Sequence, residues 1–537
     1  MPVIGTPLER TPETTRNRER MLALVAEVRA LEAAVRESSR RSEAKFRGRG
    51  QLLPRERLAR LLDPAAPFLE LSTLAGYRMH DDDGGENVAG GGITGVGVAS
   101  GVRCVVSVSD SGIKGGAISP MGLAKTLRAQ RIAFENKLPL VNLVESAGAN
   151  LLYQSEIFVE GGRTFANLAR LSAAGIPVIT VVHGSSTAGG AYLPGLSDYV
   201  IAVRKRAQIY LAGPPLVKAA LGEDADDEEL GGADLHATVT GTAEYLAEDD
   251  AEALDLARRL LARLGWNAVL PAAARPSFRP PRFDADELLD LVPVDYRRPY
   301  DAREVIARLV DDSDFLELKP LYGAATVCGH AAIEGHAVGI LGNNGPLDPD
   351  GSTKAAHFIQ LCCQSGTPIV YLQNTTGYMV GKEAEAAGMV KHGSKMIQAV
   401  ANASVPQLTL MIGASFGAGN YGMCGRGYDP RFIFAWPNAR IAVMGPEQAA
   451  EVMAIITRAK AARAGAAADE RVLEAMKRKI LAQLEAESTA LYATARLWDD
   501  GLIDPRDSRR VLALALAVCR EAERRELRPS SFGVARM

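Results

Sequence analysis

The sequence predicts a layered α/β protein made of two tandem copies of one domain, and three observations carry that prediction. The chain repeats itself at a fixed offset. Each copy alternates short apolar runs with amphipathic stretches, and each places two glycine-rich turns directly after such runs. Residues 122–192 align with 351–421 at a constant offset of 229 without a gap. Gly122, Lys125, Pro139, Leu143 and Gly148 meet Gly351, Lys354, Pro368, Leu372 and Gly377. Pro177, Thr180, Gly184, Ser186, Gly190 and Tyr192 meet Pro406, Thr409, Gly413, Ser415, Gly419 and Tyr421. Upstream, 55–71 pairs with 303–318 at offsets of 248 and then 247, so the first copy holds eighteen extra residues, expected around the Gly-rich stretch 83–101.

Taken in chain order, residues 1–48 form an N-terminal helical extension, with Leu24, Val25, Val28, Leu31 and Val35 on one face of a helix over 17–42. The first domain spans 49–280. In it KLPLVNLVES and GIPVITVVHGSS read as buried strands bounded by Pro and Gly, and KTLRAQRIAFENK as an amphipathic helix. The linker is 281–300, overlapping the Pro- and Arg-rich stretch 271–299, and the second domain spans 301–537. Its segment 447–496 is rich in Ala, Glu and Arg and reads as helical.

Composition narrows the function. Of 537 residues, 47% are hydrophobic and 23% charged, which suits large packed cores and not a disordered chain. A net charge of -3 supplies no global field for nucleic acid or an anionic membrane. The six cysteines contain no CxxC pair, which argues against a zinc ribbon and fits a reducing compartment. The N-terminus lacks a signal-peptide apolar core, and no run of about 18 apolar residues occurs. The expected location is the cytoplasm.

The main chemical feature is the pair SSTAGGAY (185–192) and ASFGAGNY (414–421), each after an apolar strand and before a helix start. Glycine lets a ligand approach the backbone, and N–H groups at a helix start lack acceptors within the helix. Such donors stabilise a developing oxyanion, at about 3–4 kcal/mol each in acyl transfer. A second glycine turn follows the preceding strand in each copy, ESAGAN (145–150) and NTTGYM (374–379), so two convergent donors per copy are expected. The competing reading gives these glycines only a packing role; their presence in register in both copies favours chemistry.

Other motifs are weaker. The seven histidines show no metal-ligand spacing, and His183, whose counterpart is Ile412, reads as a satisfied core or pocket-edge residue. His330 and His336 fall on a hairpin surface. Ser185 and Ser186 lack the nucleophile-elbow pattern, and no GxxxxGK[ST] loop occurs. Ala475-Met476-Lys477 matches part of a biotinylation site but lies in a helical run, so the match reads as chance. Lys45, Arg47 and Arg49 read as solvated surface, while Lys114-Gly115-Gly116 is a candidate phosphate contact.

At GKEAEAAGMVKHGSKM (381–396), at 413–445 and at TARLWDDGLIDPRDSRRVLALAL (494–516), the sequence resembles the carboxyltransferase (β) subunits of biotin-dependent acyl-CoA carboxylases. It is most like those acting on 3-methylcrotonoyl-CoA. LAGPPLVKAALGE (211–223), ELGGADLH (229–236) and RGQLLPRERLARLLD (49–63) agree, so the resemblance covers nearly the whole chain. It implies two crotonase-like domains, a hexamer built as a dimer of trimers, and an active site between an N-domain of one subunit and a C-domain of another. It implies a partner α subunit carrying biotin carboxylase and biotin carboxyl carrier functions, an acyl-CoA substrate, and no metal in this subunit.

By the same resemblance the catalytic backbone groups are Gly189 and Gly190, holding the thioester enolate, and Ala418 and Gly419, holding the ureido oxygen of biotin. Gly148, Ala149, Ala191, Lys114 and Phe165 would bind the acyl-CoA, and Gly377, Tyr378, Phe416 and Asn420 the biotin. Carboxybiotin would release CO2, the biotin enolate would take the α-proton, and the acyl enolate would attack CO2. That scheme needs two oxyanion holes and no strong protein base. One region departs: where methylcrotonoyl enzymes read DSGGANLPRQDEVF…HFGRIFFNQA, this chain reads ESAGANLLYQSEIFVEGGRTFANLAR (145–170). The thinned aromatic run implies an acyl pocket of altered shape, suited to a larger group such as geranyl. Neutral drift is the competing reading, and propionyl- and acetyl-CoA remain alternative substrates. A biotin-dependent decarboxylase subunit and a degenerate assembly scaffold are the rival functions.

Overall fold

The computed structural model describes residues 3–82, 84–85, 92–268, 270, 277–465 and 469–535. The start of the Pro/Arg-rich stretch, 271–276, and most of the Gly-rich 83–91 lie outside them. The chain divides into two compact units, neither a single run of chain. The N-terminal unit comprises Ala30–Ala273, Ala495–Leu497 and Arg520–Met537; the C-terminal unit comprises Met1–Arg29, Ala274–Thr494 and Trp498–Cys519. The first helix, α1 (Pro12–Arg40), begins five residues earlier than its apolar pattern suggests and buries Met21, Val25, Val28 and Val35.

Each unit is an α/β assembly around one sheet. In the N-terminal unit the strands are β1 (Leu69–Leu71), β2 (Gly92–Ala99), β3 (Val102–Ser109), β4 (Leu140–Ser146), β5 (Val178–Thr187), β6 (Tyr199–Val203), β7 (Gln208–Tyr210) and β8 (Tyr245–Ala247). They lie in the order β1-β2-β3-β4-β5-β6-β8, with β7 beside the end of β5. The C-terminal unit has β9 (Leu316–Glu317), β10 (Thr326–Ile333), β11 (His336–Asn343), β12 (Ile369–Thr375), β13 (Gln407–Phe416), β14 (Phe432–Ala435) and β15 (Arg440–Ala442). Their order, β9-β10-β11-β12-β13-β14 with β15 beside the end of β13, follows the same plan. In both sheets the first three strands pair antiparallel and the next three parallel.

The agreement extends to single residues. The register of β4 on β5 slips between Val144 and Ser146, and that of β12 on β13 between Gln373 and Thr375, positions 229 apart. Helix α2 (Pro120–Glu135) starts with Ser119 capping Gly122 N–H and Pro at its first position; α4 (Pro349–Ser365) starts with Asp348 capping Gly351 N–H, again before Pro. Between them in sequence, α3 (Gln154–Ala173) covers the N-terminal sheet beside α2; α5 (Met389–Ala401) packs against α4. The parallel strands read as continuous apolar runs because both faces are covered: every residue of β4 and of β13 is buried.

The eighteen extra residues do not sit in one place. β2 and β3 stand 234 residues before β10 and β11, whereas β4 stands 229 before β12. Thirteen therefore fall between β1 and β2, and five in the loop between β3 and α2, which carries Lys114. The expected 83–101 location accounts for the larger part alone. Among the described residues no helix is long and apolar enough to cross a membrane.

Candidate active site

The two glycine loops occupy equivalent places at the ends of β5 and β13. Gly189 and Gly190 are the second and third residues of the 3-10 turn Ala188–Ala191; Ala418 and Gly419 hold the same positions in helix α6 (Gly417–Gly422). Their N–H groups therefore fall in the first turn, where no acceptor exists within the helix. A side chain at Gly419 would place its Cβ 2.9 Å from Gly377 Cα and from Thr375 Cγ2, so the two C-terminal loops pack backbone to backbone. At Gly190 the nearest atom is Ser146 Oγ, at 3.3 Å.

The loops after β4 and β12 are tied in a common way. Gly148 N–H donates to Ser146 Oγ at 3.1 Å, and Gly377 N–H to Thr375 Oγ1 at 3.2 Å. Those two N–H groups are thus occupied within their own loops. The next residues bridge to the segment entering the helix: Ile118 pairs with Ala149, and Leu347 with Tyr378. In each bridge the residues on either side donate or accept, leaving the Ala149 and Tyr378 N–H groups without an acceptor among the described residues. Each unit accordingly presents one N–H after β4 or β12 and two at the helix start.

In the N-terminal unit the residues that carry these groups line a cavity of about 150 Å³. Ala149, Phe165, Gly189 and Gly190 line it, together with Gly161 of α3 and Lys125 of α2. Register explains why the space exists here. Across β2, β3, β4 and β5 one row of paired residues reads Thr94, Ser107, Asn142, Thr180. In the C-terminal unit the equivalent row reads Cys328, Leu341, Tyr371, Thr409. The helix above adds Ala129 and Gln130 in one unit, but Phe358 and Ile359 in the other. Cys328, Leu341, Tyr371, Phe358 and Ile359 fill one buried cluster. Smaller side chains at four of these five positions, Ser107, Asn142, Ala129 and Gln130, leave the cavity.

Lys125 is buried; its Nζ donates to Gly92 O at 2.8 Å, and burial pulls its pKa down to about 8. Behind the N-terminal loops lies an ionic network. Arg57, fully buried, donates to Glu145 Oε2 at 3.1 Å and to Asp250 Oδ2 at 2.9 Å. His183 Nδ1 lies 2.8 Å from Asp250 Oδ1. Burial, and then Arg57, push the His183 pKa down; against the effect of burial, hydrogen bonds from His183 and the charge of Arg57 hold the Asp250 carboxyl well below its usual range. Glu145 precedes Ser146, so this network anchors the strand end that sets the loop. The C-terminal unit places neutral groups there: Asn374 Oδ1 accepts from Ala414 N–H at 3.3 Å, and Tyr300 Oη donates to Ile412 O at 2.9 Å.

Of the residues expected at the site, Gly189, Gly190, Ala149 and Phe165 come together around the cavity, with Phe165 against Tyr192 at 5.3 Å between ring centroids. Gly148 and Ala191 stand behind them, and Lys114 is half exposed, 4.0 Å from Asp81. Ala418, Gly419, Gly377 and Tyr378 come together in the C-terminal unit. The side chains of Phe416 and Asn420 turn inward: Phe416 is buried against Tyr296, and Asn420 Nδ2 donates to Ser415 Oγ at 2.7 Å. His183 is buried as expected, and Lys477 lies inside the helix Glu470–Glu487, bonded to Glu451. Sequence reasoning misses the Arg57–Glu145–Asp250 network and the polar row: RERL enters it through the repeat and the family resemblance, with no role for Arg57, and the polar residues within otherwise apolar strands are the available signal. Among the described residues no cluster of His, Cys, Asp or Glu is arranged to hold a metal ion.

Residues 45–534 match the carboxyl transferase domain. The chain belongs to that family. It is a carboxyltransferase of the kind found in biotin-dependent acyl-CoA carboxylases. It is 52% identical over 490 residues to the probable biotin-dependent acyl-coenzyme A carboxylase beta2 subunit of Mycobacterium tuberculosis, covering 91% of each chain. It is 48% identical over 518 residues to that organism's biotin-dependent 3-methylcrotonyl-coenzyme A carboxylase beta1 subunit, covering 96% of this chain and 97% of the relative. Its fold matches the crystal structure of the P. aeruginosa geranyl-CoA carboxylase beta subunit with a TM-score of 0.94 and 59% identity, over 100% of both chains.

Proposed function

We propose that this carboxyltransferase carboxylates a 3-methyl-branched, α,β-unsaturated acyl-CoA with a tail longer than that of methylcrotonoyl-CoA, of geranyl length. The observation that carries this reading is Gly161. It lies in the interior of α3, lines the cavity, and a Cβ built on it meets nothing within 4 Å. Gly161 and Gly162 each disfavour the helix by roughly 1 kcal/mol relative to Ala. Retaining Gly161 keeps open the space an aromatic side chain would close. The 59% identity with a geranyl-CoA carboxylase subunit supports the same assignment.

In this reading the chain is two crotonase-like copies, 49–280 and 301–537, joined by 281–300. The N–H groups of Ala149, Gly189 and Gly190 hold the thioester oxygen as the α-proton leaves, at about 3–4 kcal/mol of transition-state stabilisation per donor. Tyr378, Ala418 and Gly419 offer the same donor set to the ureido oxygen of biotin, which a partner α subunit carries; carboxybiotin supplies the carboxyl group. The free N–H of Tyr378 fits a neutral oxygen acceptor there. The assembled form is a hexamer, readable as the mass of the purified subunit in solution.

The test is carboxylation by the complex with its biotin-carrying partner, using geranyl-, 3-methylcrotonoyl-, propionyl- and acetyl-CoA. Geranyl-CoA should give the highest kcat/KM, and Gly161→Phe should lower the geranyl-to-methylcrotonoyl ratio by at least tenfold. A wild-type preference for methylcrotonoyl-CoA overturns the assignment.

A further inference from the structure

The acyl cavity has a polar far wall. Thr94, Ser107 and Asn142 all line it, and they stand side by side across β2, β3 and β4. Asn142 lies four residues before Ser146 on β4, which puts the row about 13 Å below the catalytic loops at roughly 3.3 Å per residue. Lys125 and Gln130, from α2, face the same space. Neither the Thr94 nor the Ser107 hydroxyl has a hydrogen-bond partner among the described residues, and the Asn142 amide donates only to Thr180 Oγ1, at 3.3 Å. Lys125 spends one proton on Gly92 O. The wall therefore holds hydrogen-bonding capacity that the protein itself does not use.

The matching wall of the C-terminal unit shows that polarity is not required by the fold. There the same register positions carry Cys328, Leu341 and Tyr371, packed on Phe358. Thr180 and Thr409 end the row in both units, but over its first three positions the C-terminal sheet tolerates apolar packing where the N-terminal sheet borders the cavity with Thr94, Ser107 and Asn142.

We propose that the Thr94–Ser107–Asn142 row is a specificity-determining end wall that reads the polarity of the acyl tail. A hydrocarbon tail that reaches the wall strands its hydroxyls away from water, and a buried polar group without a partner is unfavourable. The wall therefore limits the length of an all-hydrocarbon tail and accepts a tail of that reach when its last carbon bears an oxygen. An eight-carbon backbone with a terminal hydroxyl and one hydrogen bond covers roughly this depth. The inference rests on the assignment of this cavity to the acyl chain.

The experiment compares kcat/KM for three thioesters with the complete enzyme complex: geranyl-CoA, its C15 farnesyl homologue, and 8-hydroxygeranyl-CoA. Thr94→Val is isosteric, so it changes the wall's polarity and not its volume; Ser107→Ala is the second variant should the first fold poorly. In either variant the farnesyl-to-geranyl ratio should rise about tenfold and the hydroxygeranyl-to-geranyl ratio should fall about tenfold, one lost hydrogen-bonding group each. Gly161→Phe, run alongside, checks the assignment beneath. If Gly161→Phe lowers geranyl turnover while neither wall variant moves either ratio, the end wall is refuted and the acyl cavity stands. If Gly161→Phe leaves tail selectivity untouched, both fall.

Discussion

The two units use one strand order and one pair of loops, yet they support those loops by opposite means. Behind the N-terminal loop stands a buried ionic network, Arg57 with Glu145 and Asp250, and in front of it an open cavity. Behind the C-terminal loop stand Asn374 and Tyr300, and the space in front is packed with Tyr371 and Phe358. On the proposed assignment the difference suits the cargo: a site that admits a long flexible tail gives up core packing near its loop, a fixed charge network supplies rigidity in its place, and a site for the end of a tethered ring needs no such depth.

That contrast can be broken at four levels. The largest effect belongs to the loop glycines. Gly419→Ala drives its Cβ into the backbone of Gly377 and should lower carboxylation by about 100- to 1000-fold, whereas Gly190→Ala meets only the Ser146 side chain and should stay within about tenfold. Equal losses at the two glycines, in assays with the biotin-carrying partner, would mean that the loops are equally tight. Next come the residues behind them. Glu145→Gln leaves the buried Arg57 with Asp250 as its one charged partner in this network and should destabilise by about 3 kcal/mol, while Asn374→Ala at the equivalent place should lose about 1 kcal/mol in denaturant titration.

The third level is the pair of buried lysines. Lys125 has its pKa pulled to about 8 by burial, below the ordinary value near 10.4, so between those values the unfolded chain binds more protons than the folded one. Stability should therefore rise with pH across that window, and Lys125→Met should flatten the rise in thermal melts. Lys354, its counterpart, is buried with no hydrogen-bond partner for Nζ among the described residues; Lys354→Met should be neutral or stabilising by about 1 kcal/mol. Smallest is Ala188, held at φ 52° where the C-terminal loop uses Gly417 at φ 55°. Ala188→Gly should shift stability by less than about 1 kcal/mol, because relief of backbone strain offsets the added freedom of the unfolded chain.

The repeat made much of this fold legible in advance, since a gapless offset over 71 residues carries strand order, cap and loop together. Buried strands betrayed themselves by Val and Ile runs between Pro and Gly, and both glycine loops stand where the sequence puts them. What escaped were features that depend on pairing across strands. Thr94, Ser107 and Asn142 are far apart in the chain and look like incidental polar residues until register sets them in a row. The placement of the extra residues escaped for a related reason: an alignment reports total length, while only the strands show where it is spent. Donor assignment within the second loop turned on a single hydroxyl, Ser146, whose bond to Gly148 N–H hands the outward-facing role to Ala149.

Because the groups assigned to both oxygens are peptide N–H groups, the donors themselves have no proton to gain or lose anywhere in the range where proteins stay folded. The rate of transfer would then follow acidity through the thioester, the biotin, the partner that delivers it and Lys125 in the cavity wall, while the two donor sets would need no retuning between compartments of different pH.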